Sequence, residues 1–178
     1  MIMLIDNILY RAKNFLYRII ASPYAYARFL GVKIGKNCSI ATKGFSREGY
    51  LITIGDHVQI TEGVKFFTHG GGWVLRKEYI DFDSFGKITI GNNVYIGNDV
   101  CIMPGVSIGN NVVIGTASVV TKSVPDNVVI AGIPARVVKS FEEYKESILS
   151  QNLHCKGMSY SKKKKYLLSL DDSKFIKK

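Results

Sequence analysis

Ile90, Ile96, Ile102, Ile108, Ile114 and Val120 stand six residues apart, and Gly91, Gly97, Gly109 and Gly115 follow four of them. A second apolar residue comes four positions after most of these aliphatics, at Val94, Val100, Val106, Val112 and Val124, with Ser118 the small exception. The same phase occurs earlier at Ile54-Gly55 with Val58 and at Ile60 with Val64, while Ile34-Gly35 with Cys38 is displaced by two residues. A helix repeats every 3.6 residues and a strand every two, so neither produces this spacing. A short strand followed by a sharp bend does, with one large and one small side chain pointing inward on each rung. Asn and Gly suit such bends because they tolerate left-handed backbone. No rung of this kind buries its apolar side chain without its neighbours, so the pattern predicts an all-β fold, a parallel β-helix of hexapeptide repeats.

The chain has 178 residues, 47% of them apolar, enough for one domain with a substantial core. No apolar run reaches the ~18 to 20 residues of a membrane-spanning helix. The first twenty residues are interrupted by Asp6, Arg11, Lys13 and Arg18 and lack the pattern of a secretory signal. Cys38, Cys101 and Cys155 show neither disulfide nor zinc spacing, and reduced thiols in a cytoplasmic protein are expected. The net charge of +10 is uneven: residues 1–31 carry +3, residues 32–138 only +2 and residues 139–178 carry +5. A nearly neutral body argues against a nucleic-acid partner.

The rungs stop at Phe66 and resume in phase at Ile90. Three segments follow: an N-terminal helical cap (1–31), the repeat (32–139) with a loop excursion over 67–87, and a C-terminal helical basic tail (140–178). A long loop on a rigid scaffold is where function is commonly carried. This one holds His69, Gly70, Gly71 and Gly72, the single Trp73, and Arg76, Asp81 and Asp83. Trp73 suits stacking on a ring of a ligand or anchoring the loop, and Arg76, Asp81 and Asp83 suit hydrogen bonds to a ligand's hydroxyls or a solvated loop surface. His57 lies in a rung corner and reads as a solvated turn residue; His154 reads as solvent-exposed.

Residues 32–139, above all the closing stretch TKSVPDNVVIAGIPARVVK, resemble the hexapeptide-repeat acyltransferases. The resemblance is strongest to sugar O-acetyltransferases of the maltose and galactoside type and to their capsule and O-antigen relatives. It implies a left-handed coil, a homotrimer with sites between subunits, and acetyl-CoA as co-substrate without a metal. It further implies O-acetylation of a sugar or of a surface-polysaccharide precursor. His69, in the context Thr68-His69, matches the family's catalytic histidine, and a neutral imidazole suits removal of a hydroxyl proton during attack on a thioester. Donor contacts map onto Asn98, Thr116, Thr121, Lys122, Arg136 and Lys139, with Thr116 standing where alanine is often found. Alternatives are N-acetylation of a nucleotide-linked amino sugar, a metal-dependent carbonic anhydrase on a similar coil, and a non-catalytic scaffold or nucleic-acid binder.

Met1 to Leu30 reads as two helical pieces around Ser22-Pro23, with Ile5, Ile8, Leu9, Ala12, Phe15, Leu16, Ile19 and Ile20 in one stripe. The expected role is to cap the open end of the coil; peripheral membrane contact is the alternative. Ser140 to Leu149 reads as a helix with Glu142 and Glu143 in its first turn, followed by a four-lysine run at 162–165.

Overall fold

The rungs become fourteen short strands. A computed structural model describes residues 2–177, with side chains from Ile8 onward. In chain order the elements are α1 (Ile2–Ile20), α2 (Pro23–Phe29), β1 (Lys33–Ile34), β2 (Ser39–Ile40), β3 (Gly44–Phe45), β4 (Ile52–Ile54), β5 (Val58–Ile60), β6 (Lys65–Phe66), β7 (Ile88–Ile90), β8 (Val94–Ile96), β9 (Cys101–Ile102), β10 (Ser107–Ile108), β11 (Val112–Ile114), β12 (Val119–Val120), β13 (Val128–Gly132), β14 (Ala135–Ser140), α3 (Phe141–Leu149) and α4 (Tyr160–Leu168). They form three sheets in the orders β1-β4-β7-β10, β2-β5-β8-β11-β13-β14 and β3-β6-β9-β12. From β1 to β12 consecutive strands fall in successive sheets, so the chain coils around three faces and three edges. All pairings are parallel except β13 with β14, which run antiparallel and cover the last edge of the second sheet.

The inward set is the one the spacing predicts. Ile60, Ile96, Ile102 and Ile114 are fully buried, and so are Val64, Val100 and Val112. The glycines divide into two sets. At the repeat positions Gly35, Gly55, Gly91, Gly97, Gly109 and Gly115 none has a positive φ; the left-handed corners fall on Gly63 and Gly105, as expected of glycine, and on Asn37, His57, Asn93, Asp99, Asn111, Ala117 and Asn127. A glycine is needed at these positions for close stacking: a Cβ on Gly91 would lie 2.6 Å from the carbonyl oxygen of Gly109 one coil above.

Three departures from the period are now located. In the middle of the stack, partners lie 18 residues apart, as for Val94 and Val112. In the first coil Ile40 to Phe45 spans five residues and Phe45 to Ile54 nine, where regular rungs span six, so one residue is lost and three gained. Buried Thr42 fills the shortened corner, donating through Oγ1 to the carbonyl of Val64 at 2.7 Å. The excursion after β6 adds 18 residues between the paired Ile54 and Ile90, which keeps the phase. The last coil shortens to 16 residues, and here one expectation is corrected. Val124, assigned by spacing to the small inward position after Val120, instead pairs with Ile108 because the corner before it is two residues shorter. Ser118 ties that coil together, donating to the carbonyl of Gly115 at 2.7 Å and accepting from the amide of Gly132 at 3.1 Å.

The N-terminal helices divide the expected capping role. Ser22 caps α2 by accepting from the amide of Ala25, with Pro23 at the first helical position. Tyr26, Ala27 and Leu30 from this region join the buried core at the open end of the coil. α1 instead packs on α2 through its aromatic and polar side: Tyr17 stacks on Phe29 at 4.3 Å, and the Tyr26 hydroxyl donates to Asn14 Oδ1 at 3.0 Å. The aliphatic stripe does not cap anything, and Ile8, Leu9, Phe15, Leu16, Ile19 and Ile20 are all more than half exposed. Ile5, counted in that stripe, lies outside the described side chains. The chain divides into two compact units, residues 1–141 and 142–178. In the second, Lys145 pairs with Glu142 at 2.7 Å, and the Tyr166 hydroxyl donates to the carbonyl of Leu153 at 3.2 Å.

Candidate active site

Both enlarged corners lie on the edge that follows the third sheet, and they meet there. The three extra residues of the first coil form a turn in which Glu48 precedes a 3-10 segment over Gly49–Leu51. Gly49 is pressed against Leu30, where a Cβ would lie 2.7 Å from the leucine Cβ, so the end of α2 fixes this corner. One coil above, the excursion leaves β6. Ser46 stitches the two corners, donating to the carbonyl of Phe66 at 2.9 Å and accepting from the amide of Thr68 at 3.1 Å. Buried Thr68 donates through Oγ1 to Glu48 Oε2 at 2.9 Å. The adjacent His69 places Nε2 3.3 Å from the same oxygen, with side chains 45% and 16% exposed for histidine and glutamate. The imidazole is thus open on one side and faces a half-sheltered carboxylate on the other. Phe85 pairs with His69 in a short antiparallel bridge and meets its ring edge-on at 5.3 Å. The amide of Gly86 donates to the carbonyl of Thr68 at 2.8 Å, so both ends of the excursion are pinned at the histidine.

The loop beyond is open. Nothing lies within 4 Å of a Cβ placed on Gly70 or Gly71, and Trp73 is 81% exposed in a 3-10 turn over Gly72–Leu75. Arg76 and Asp83 face each other at 3.6 Å, and Arg76 Nε donates to the carbonyl of Phe82 at 3.1 Å, so this pair braces the loop. Asp81 is exposed.

The residues assigned to a donor separate into groups. Thr121 and Lys122 occupy the same edge as His69, two strands up the third sheet, where β6, β9 and β12 are neighbours. Lys122 and Arg136 come together around a cleft of about 230 Å³, walled by Val120, Val124, Ile130 and Val137. Asn98 and Thr116 stack one coil apart on a different edge, between the second and third sheets, where the amide of Ala117 donates to the carbonyl of Asn98. Lys139 pairs in register with Val129 and does not line the cleft.

His57 stands on the third edge, in a ladder. Its Nδ1 meets Asn93 Oδ1 at 2.9 Å, Asn93 Nδ2 donates to Asn111 Oδ1 at 2.8 Å, and Asn111 Nδ2 donates to Asn127 Oδ1 at 2.8 Å. It takes the place of one more asparagine at a left-handed corner.

Sequence reasoning missed Glu48 and Phe85 as neighbours of His69, and the hydrogen bond by which Thr68 holds Glu48. The available signal was the two-residue displacement of Ile34-Gly35, which marks an extra corner one coil below the histidine.

A three-faced coil of six-residue rungs, interrupted at one edge by a loop whose histidine faces a carboxylate from the coil below, is the architecture of a hexapeptide-repeat protein. The family described as bacterial transferase hexapeptide (six repeats) matches residues 87–122. Protein CapG of Staphylococcus aureus is 53% identical over 146 residues, covering 80% of this chain and 85% of that protein. The galactoside O-acetyltransferase of Escherichia coli (strain K12) is 40% identical over 123 residues, 68% of this chain and 60% of that protein. Among solved structures, a hexapeptide-repeat acetyltransferase of Vibrio cholerae complexed with acetyl-coenzyme A superposes with a TM-score of 0.53 at 28% identity, over 66% of this chain and 75% of that one. The chain belongs to the bacterial hexapeptide-repeat transferases and is an acetyltransferase.

Proposed function

We propose that the protein is an acetyl-CoA-dependent O-acetyltransferase that acetylates a sugar hydroxyl, on a left-handed coil, with His69 as general base. The observation that carries this reading is the convergence of the two enlarged corners on the His69–Glu48 pair, on the edge that also bears the Lys122–Arg136 cleft. With Nε2 directed at Glu48, Nδ1 is the ring nitrogen left for an acceptor. His69 removes the hydroxyl proton as the oxygen attacks the thioester carbonyl, and returns it to the departing thiolate when the C–S bond breaks. Glu48 offsets the positive charge that develops on the ring meanwhile, and Thr68 holds the carboxylate in place.

The cleft fits the donor's chemistry: apolar walls accept an uncharged arm, and Lys122 and Arg136 at its rim offer charge to phosphates. Two strand spacings separate the levels of β6 and β12, about 10 Å, so an arm lying along this edge leads from the cleft toward His69. Asn98 and Thr116 fall on another edge, and a homotrimer would bring that edge from a neighbouring copy against this one. The open loop with Trp73, Arg76, Asp81 and Asp83 supplies the acceptor side. A surface-polysaccharide precursor is the acceptor class we favour, made in the cytoplasm.

The metal-dependent alternative requires about three protein ligands. Among the described residues no group of three or more His, Cys, Asp and Glu is placed to hold a metal ion. The test is thiol release from acetyl-CoA with a panel of hydroxyl sugars and nucleotide-linked amino sugars. Release with hydroxyl acceptors and an ester product supports the reading; turnover confined to amino acceptors with an amide product contradicts it.

A further inference from the structure

α1 is docked the wrong way round for a soluble cap. At 100° per residue, Tyr10, Asn14 and Tyr17 share one side, and this side contacts α2. Lys13 borders it, with its ammonium 5.7 Å from the Phe29 ring centre. Lys43 Nζ donates to the last-turn carbonyls of Arg18 and Ile19 at 2.7 and 3.4 Å, which holds the end of the helix against the coil. These contacts fix the helix about its axis. Ile8, Leu9, Phe15, Leu16, Ile19 and Ile20 therefore point away from α2, exposed by 58, 63, 68, 53, 62 and 69%. Six large apolar side chains side by side on one helix face form the kind of contiguous exposed patch that marks an interaction surface.

Charge identifies what this face meets. From Asn7 to Arg47 the sequence carries Arg11, Lys13, Arg18, Arg28, Lys33, Lys36, Lys43 and Arg47 and no Asp or Glu. Arg11 and Arg18 flank the aliphatic stripe on the side away from Lys13. Arg28 and Lys33 line a hollow of about 410 Å³ near the same end of the coil. A second copy of this surface would bring like charges together, whereas anionic headgroups complement it. Among the described residues no helix is long and apolar enough to cross a membrane, so the helix can only lie in the surface.

We propose that α1 is an interfacial anchor, with its aliphatic face sunk among the headgroups and upper acyl chains of an anionic bilayer and its arginines on lipid phosphates. The inference stands independently of the acceptor.

The full chain is floated with vesicles of phosphatidylcholine alone and with vesicles one-third phosphatidylglycerol, beside sedimentation measurements of mass. Expected is flotation with the anionic vesicles, abolished by the double variant Phe15→Ser/Ile19→Ser with mass and acetyl transfer unchanged. Arg11→Gln and Arg18→Gln should each weaken binding roughly fivefold. These substitutions fall on exposed positions, and circular dichroism checks that the fold is kept. No flotation with anionic vesicles, or flotation unaffected by the serine variant, overturns the proposal. So does a drop of the serine variant to a smaller oligomer, which would assign the face to a second copy.

Discussion

Two edges of one coil treat the same residue type in opposite ways. On the edge after the first sheet, every corner repeats: Asp56 accepts from the amide of Lys36, Asn92 from Asp56, Asn110 from Asn92 and Asp126 from Asn110, all within 2.7–2.8 Å. Beside this column runs the amide ladder that contains His57. Each side chain satisfies a backbone amide of the coil below, so the polar groups of this edge are spent on holding the stack together. On the edge after the third sheet the period is broken three times, and at the two enlarged corners the polar groups released, Glu48 and His69, meet each other and solvent. Regularity on one edge ties the coils together; irregularity on another brings together the groups we propose as the site.

The largest contrast is expected between the two histidines. His69→Ala should lower kcat by ~10²–10⁴ while donor binding persists. His57→Asn, which extends the amide ladder, should leave turnover intact and stability within about 0.5 kcal/mol. Steady-state kinetics and thermal melts on both variants separate the edges; equal loss from both would erase the distinction. Next is Glu48→Gln. Removing a contact between charged groups is worth about 1.5–3 kcal/mol, hence a roughly ten- to hundredfold fall in kcat with the donor KM unchanged. A rise in KM alone would mean that Glu48 holds substrate rather than the base.

The stacking glycines test the same division through stability. Gly91→Ala forces a Cβ toward the backbone of Gly109, at a cost of about 1–3 kcal/mol, with Tm falling roughly 2–4 °C per kcal/mol. Gly70→Ala, with open space around it, should leave Tm unchanged.

The smallest effect concerns pH. Hydrogen bonds from Asn110, its backbone amide first and then its side chain, hold the carboxyl of exposed Asp126 below its ordinary value of 3.8. A carboxylate favoured in the folded state stabilises above its unfolded pKa and loses that contribution as pH falls through the lower folded value. Melts should therefore show wild type losing slightly more stability than Asp126→Asn below about pH 3.8. Parallel curves would show that the last step of the ladder adds nothing.

The rungs were legible because burial repeats with the coil, and Ile90 to Val120 state their phase directly. The corners were less so. A net displacement of two residues between Ile34 and Ile54 does not reveal one residue lost before Phe45 and three gained after it, and Glu48 is one carboxylate among several in the body. His69 was readable from its loop and its Thr68 neighbour; its carboxylate partner came from another coil and needed the fold. The pattern of α1 announced an aliphatic stripe but not which side would dock. Stacking of Tyr10 and Tyr17 on Phe29 decided that, and it decided against burying the stripe.

The most direct test of the irregular edge as the active site is a crystal structure with coenzyme A bound. The account predicts phosphates at Lys122 and Arg136 and the thiol within hydrogen-bond reach of His69, about 3–3.5 Å. Coenzyme A seated along the Asp56–Asn92–Asn110–Asp126 edge, with its thiol remote from His69, would contradict it.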